Sequence, residues 1–92
     1  MQIEFTKKYG RQVDKYRDKK VRKNLSEVID NILKAPDISE IKNLKKLKGH
    51  KSFYGIRMGD FRIGIALEND KVILAAFDHR ADIILLNFAE IK

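Results

Sequence analysis

The stretch Phe53-Tyr54-Gly55-Ile56-Arg57-Met58-Gly59-Asp60-Phe61-Arg62-Ile63-Gly64-Ile65 reads as two β-strands folded about a two-residue turn. Gly59-Asp60 supplies the turn chemistry, so Met58 is expected to face Phe61 and Arg57 to face Arg62. Like charges directly opposite one another destabilise a sheet, and two guanidinium forks held together suit an anion. The same pair is also compatible with two solvated arginines pointing outward.

Working outward, the second strand is predicted to run Phe61–Leu67, with Phe61, Ile63, Ile65 and Leu67 on a core face. Arg62, Gly64 and Ala66 lie on the other face. A third strand, Lys71–Phe77, returns from a turn at Asn69-Asp70. Regular pairing from that turn places Ala75 beside Gly64 and Phe77 beside Arg62, and His79 then shares the Arg62 face. The first strand contributes Gly55 and Phe53 to this face. The expected result is a floor of small residues with two arginines at one end. Mid-strand glycines suit either close approach of a ligand or a strongly coiled sheet.

Upstream, Gln2–Phe5 reads as a strand and Thr6 as a helix N-cap, followed by Tyr9, Val13 and Tyr16 at helical spacing. Val21, Leu25, Val28, Ile29, Ile32 and Leu33 form a second helical stripe, which Pro36 stops. The run Arg17-Asp18-Lys19-Lys20 marks a break between the helices, and residues 36–52 read as a connector. Downstream, the apolar run Ile83–Phe88 is a short helix or an added strand. The expected fold class is α+β: an N-terminal strand and helical hairpin packed on a small twisted antiparallel sheet, forming one domain over residues 1–92.

The 92 residues carry a net charge of +7, unevenly spread. Ten Lys/Arg face five Asp/Glu in residues 1–35, five face two in 36–52, and five face six in 53–92. This distribution suggests a polyanion or an acidic protein as partner, or a basic surface serving solubility. The lack of cysteine excludes disulfides and thiolate chemistry. With no apolar run long enough to span a bilayer and no signal-like N-terminus, the chain is expected to be cytoplasmic and without membrane partners.

Arg57, Arg62 and Arg80 near His79 would make a metal-independent site for RNA cleavage, in which a 2′-hydroxyl attacks its neighbouring phosphate. His79 at a strand end is equally readable as structural or exposed. His50 and His79 lack carboxylates at ligand spacing, and no phosphate-binding glycine loop or serine triad stands out, so no metal or cofactor is expected. Lys42, Lys45, Lys46, Lys48 and Lys51 read as phosphate-backbone contacts or solvated surface.

Lys46-Leu47-Lys48-Gly49, the run Phe53–Ile63, and His79-Arg80-Ala81-Asp82-Ile83 together resemble the RelE/ParE superfamily of toxins from type II toxin-antitoxin systems. The resemblance implies a toxin that enters the ribosomal A site and cuts mRNA without a metal. It further implies a cognate antitoxin, which can bind the toxin in a hetero-oligomer. By the same resemblance, Arg57 and Arg62 match the arginines that hold the scissile phosphate, Arg80 the arginine after the last strand, and His79 the histidine before it. Lys45, Lys46, Lys48 and Lys51 become RNA or ribosome contacts. Two positions depart from many relatives: Gly55 stands where they have arginine, and Ile84 and Leu86 stand where they have tyrosine. The resemblance therefore also implies two alternatives, a ParE-like inhibitor of DNA gyrase and a catalytically weak, antitoxin-binding member.

Overall fold

In the computed structural model, which describes residues 1–46 and 53–79, two helices cover one face of a five-stranded sheet. The elements follow as β1 (Gln2–Phe5), α1 (Lys7–Asp14), α2 (Lys19–Lys34), a short 3-10 turn at Ile38–Glu40, β2 (Leu44–Lys46), β3 (Phe53–Met58), β4 (Phe61–Glu68) and β5 (Lys71–His79). The strand order is β1-β5-β4-β3-β2; β1 joins β5 in parallel and the other neighbours are antiparallel. The α+β class is as the sequence implies, with a parallel edge strand added. Among the described residues no helix is long and apolar enough to cross a membrane.

Local chemistry explains the helix limits. The Thr6 hydroxyl accepts from the Tyr9 N–H at 3.1 Å and starts α1. Asp18 accepts from the Lys20 N–H at 2.7 Å and starts α2 at Lys19, so the expected interhelical break shrinks to the residues before that cap. Arg22 ties the two helices together by donating to the Tyr16 and Val13 carbonyls at 3.0 and 3.4 Å, at the C-terminal end of α1 where a cation is favoured. Ala35 turns extended before Pro36 and ends α2. The connector holds more order than its lysine-rich sequence suggests: Leu44-Lys45-Lys46 pairs with Ile56-Gly55-Tyr54 as an edge strand.

Both hairpin turns form as expected. Gly59 takes φ +59° ahead of Asp60, the signature of a type II′ turn, while Asn69 and Asp70 take +48° and +66°, the signature of type I′. Arg57 faces Arg62, Gly55 faces Gly64, and Phe53 faces Ala66.

The pairing of β4 with β5 differs from the expected register. From the Asn69-Asp70 turn it runs regularly to Ile65↔Leu74, then takes up Ala75 as an extra residue and resumes at Gly64↔Ala76. This β-bulge reverses the alternation for the rest of β5. Phe77 lands opposite Ile63 on the helix side, fully buried, rather than beside Arg62. His79 lands opposite Phe61, and Asp78 takes the place across from Arg62.

The fully buried centre of the core includes Ile32 from α2 with Ile56, Ile63, Ile65, Val72, Leu74 and Phe77 from the sheet. Phe77 stacks on Phe61 with ring centroids 5.2 Å apart and meets the edges of Tyr16 and Tyr9 at 5.6 and 6.4 Å. The helix α1 completes the hydrogen bonds of β5 where β1 has ended. Thr6 Oγ1 donates to the Ala75 carbonyl at 2.8 Å, and the buried Gln12 Oε1 accepts from the Phe77 N–H at 2.8 Å.

Replacing Gln12 with leucine leaves the Phe77 N–H without its acceptor in a buried setting, and is expected to cost about 1–3 kcal/mol in urea unfolding. Burial also pushes the Tyr9 hydroxyl up to about 12, against a smaller opposing pull from Arg22. The unfolded phenol ionises first, so Tyr9 stabilises the fold fully below about pH 10 and loses that contribution as pH rises towards 12. Urea midpoints across pH 9–12 are expected to show the wild type losing on the order of 2 kcal/mol relative to Tyr9→Phe.

Candidate functional site

The face of the sheet opposite the helices collects three of the cations that the sequence singles out, Lys45, Arg57 and Arg62. Because β2 pairs Lys45 with Gly55, and β3 pairs Gly55 with Gly64 and Arg57 with Arg62, three basic side chains border a glycine floor. Asn43, Leu44, Lys45, Gly55, Arg57 and Arg62 line a depression of about 320 Å³ here. Arg57 is exposed and Arg62 partly buried.

The electrostatics of this face are unbalanced. Arg62 Nε is enclosed without a hydrogen-bond partner, the one such buried side-chain atom among the described residues. An enclosed guanidinium N–H left unpaired is costly, and a phosphate or carboxylate oxygen would relieve that cost. The acid across the ladder, Asp78, is engaged elsewhere. Its Oδ1 accepts from the Tyr16 hydroxyl at 2.6 Å and from the His79 backbone N–H at 2.8 Å. Tyr16 therefore holds the carboxylate that register places opposite the Arg62 guanidinium.

The structure divides the residues expected to act together. Arg57, Arg62 and Lys45 share a face and a depression, whereas alternation puts Lys46 on the opposite face of β2. His79 leaves the arginine face altogether: the bulge at Ala75 turns its ring towards Phe61, with centroids 6.0 Å apart in an edge contact. Lys48, Lys51, Arg80 and the apolar run at 83–88 lie outside the described residues. Among the described residues no group of three or more His, Cys, Asp or Glu is arranged to hold a metal ion.

Two contributors escape a reading of the sequence. Asn43 borders the depression from a left-handed backbone position, φ +62°, which asparagine tolerates better than most side chains. Its signal is a lone Asn before a three-residue strand, too short for alternation to reveal. Tyr16 reads as an ordinary apolar-stripe residue, and only the fold shows its hydroxyl holding Asp78.

The arrangement of a helical pair on one face of a small five-stranded sheet is shared with solved structures. The chain superimposes on a chain of the RelB-RelE antitoxin-toxin complex from Methanococcus jannaschii with a TM-score of 0.75 and 28% identity, over 87% of this chain and 93% of that one. It matches a chain of the toxin-antitoxin complex RelBE2 from Mycobacterium tuberculosis in fold, with a TM-score of 0.67 and 18% identity over 86% and 96%. No family model matches the chain. In sequence it is 33% identical over 64 residues to Toxin RelE3 of Methanocaldococcus jannaschii, covering 68% of this chain and 73% of that protein. The chain belongs to the RelE family of toxins.

Proposed function

We propose that this toxin is a ribosome-dependent mRNA endoribonuclease of the cytoplasm, and that it needs no metal. The observation that carries the reading is the Arg57–Arg62 pair over the Gly55/Gly64 floor, with Arg62 Nε enclosed and unpaired. Backbone without side chains lets a nucleic-acid strand approach closely, and paired guanidinium forks match a phosphodiester. In the proposed reaction an mRNA 2′-oxygen bonds to the adjacent phosphorus as the bond to the 5′-oxygen breaks. The phosphoryl oxygens gain charge in the transition state, and Arg57 and Arg62 stabilise it. Lys45 tracks the neighbouring backbone phosphate. A guanidinium stays protonated, so neither arginine moves a proton: the 2′-hydroxyl proton leaves to solvent water and the departing 5′-oxygen takes one from water. Arg80 remains a further candidate for the phosphate site, with Lys46, Lys48 and Lys51 as outer contacts to RNA or ribosome.

The solved structures that this chain resembles hold toxin and antitoxin together, and we extend that partnership to a cognate antitoxin here. A partner of acidic chemistry suits the basic N-terminal half. Gyrase inhibition, by contrast, gains no support from a specific feature of the described residues.

Mapping mRNA ends after incubation with translating ribosomes is expected to show cleavage by the wild type. Arg62→Ala should slow it about 10²–10³-fold, the loss typical of removing one preorganised donor. His79→Ala should retain activity within about tenfold, because its ring faces Phe61. Intact mRNA at stoichiometric toxin, with cleaved DNA accumulating in a gyrase supercoiling assay, would reverse the assignment.

A further inference from the structure

A second depression, of about 350 Å³, lies between α2 and the β3–β4 turn, and Arg57 and Asn43 border both it and the cationic one. Asn24, Glu27, Val28 and Asn31 face it from α2, at spacings that put them on one stripe of the helix. Its polar groups are committed in an informative way. Asn31 Oδ1 accepts from the Lys42 N–H at 3.0 Å, which orients the amide and leaves its Nδ2 hydrogens as donors. Glu27 is exposed and forms no ion pair among the described residues, so its carboxylate presents two acceptor oxygens. Val28 and Met58 supply apolar surface between them.

A nucleobase beside a phosphate held at Arg57 would reach this groove. Guanine alone among the four RNA bases offers two adjacent N–H donors, N1–H and N2–H, next to an acceptor, O6. We propose that the groove is a guanine-reading subsite, with Glu27 accepting from N1–H and N2–H, Asn31 Nδ2 donating to O6, and Val28 and Met58 packing on the base. Asn24 lies one turn earlier and borders the sugar edge. The inference rests on the reading of Arg57 and Arg62 as phosphate ligands, because Arg57 joins the two depressions. It makes Glu27 and Asn31 specificity determinants, separate from the groups that stabilise charge. Single-stranded RNA is commonly read in this way, through the Watson–Crick edge of an unstacked base.

The test is an NMR titration of the full chain with 2′-O-methylated GpA and ApG, their inosine counterparts and ApA, following backbone amides, arginine Nε–H and asparagine side-chain amides. At least one guanine dinucleotide is expected to bind about tenfold more tightly than ApA, shifting the Asn31 side-chain amide. Inosine, which lacks the N2 amine, should lose most of that preference. Glu27→Gln should erase the preference while ApA still shifts the Arg57 and Arg62 resonances. If ApA binds through the arginines but no guanine preference appears, or the preference survives Glu27→Gln, the subsite is wrong and the phosphate reading stands. If no dinucleotide moves the arginine resonances, the phosphate reading falls and takes the subsite with it.

Discussion

The arrangement of both faces of the sheet depends on how α1 docks along β5. Where β1 ends, two side chains of the first helical segment take over as its hydrogen-bonding partners: Thr6 donates to the Ala75 carbonyl and Gln12 accepts from the Phe77 N–H. Buried backbone groups must be satisfied, and these two bonds satisfy the strand at its irregularity. They stabilise the one-residue bulge at Ala75, which brings Phe77 into the aromatic cluster with Tyr9, Tyr16 and Phe61. Burial of Phe77 and satisfaction of the strand are thus one event. Thr6 also caps α1, so helix start and strand bulge are set by the same hydroxyl.

The arginine-bearing face follows from that constraint. With Phe77 and His79 turned towards the helices, the residues opposite Gly64 and Arg62 become Ala76 and Asp78. Ala76 extends the small-residue floor, and Asp78 is held by Tyr16. The guanidinium of Arg62 is left with an unpaired donor beside a second arginine, an arrangement that is unfavourable alone and favourable with an anion bound. The arginine pair therefore belongs to the sheet face, while the imidazole sits apart from it.

Much of this was legible because β3 and β4 are regular and their turn is chemically explicit. Gly59-Asp60 defines the register, and the register places Arg57 against Arg62 and Gly55 against Gly64. Thr6, Pro36 and Asn69-Asp70 likewise announce the ends and turns they form. The bulge has no such local sign. Ala75 and Ala76 are both small and apolar, so shifting the alternation between them leaves the sequence pattern plausible in either register. What selects the register is Gln12, 65 residues away from Phe77 along the chain, together with the burial of Phe77. The edge strand β2 was illegible for a different reason: three residues, two of them lysine, carry too little alternation to stand out from a charged connector. The RelE-like character could be read from the hairpin and the His79-Arg80 pair, but the separation of that histidine from the arginines could not.

The most direct measurement is the set of cross-strand NOEs between β4 and β5 in the free protein. The account predicts backbone contacts linking Gly64 with Ala76 and Ile63 with Phe77, and ring contacts linking His79 with Phe61. Contacts linking Gly64 with Ala75, and His79 with the Arg62 side chain, would contradict it, returning the imidazole to the arginine face.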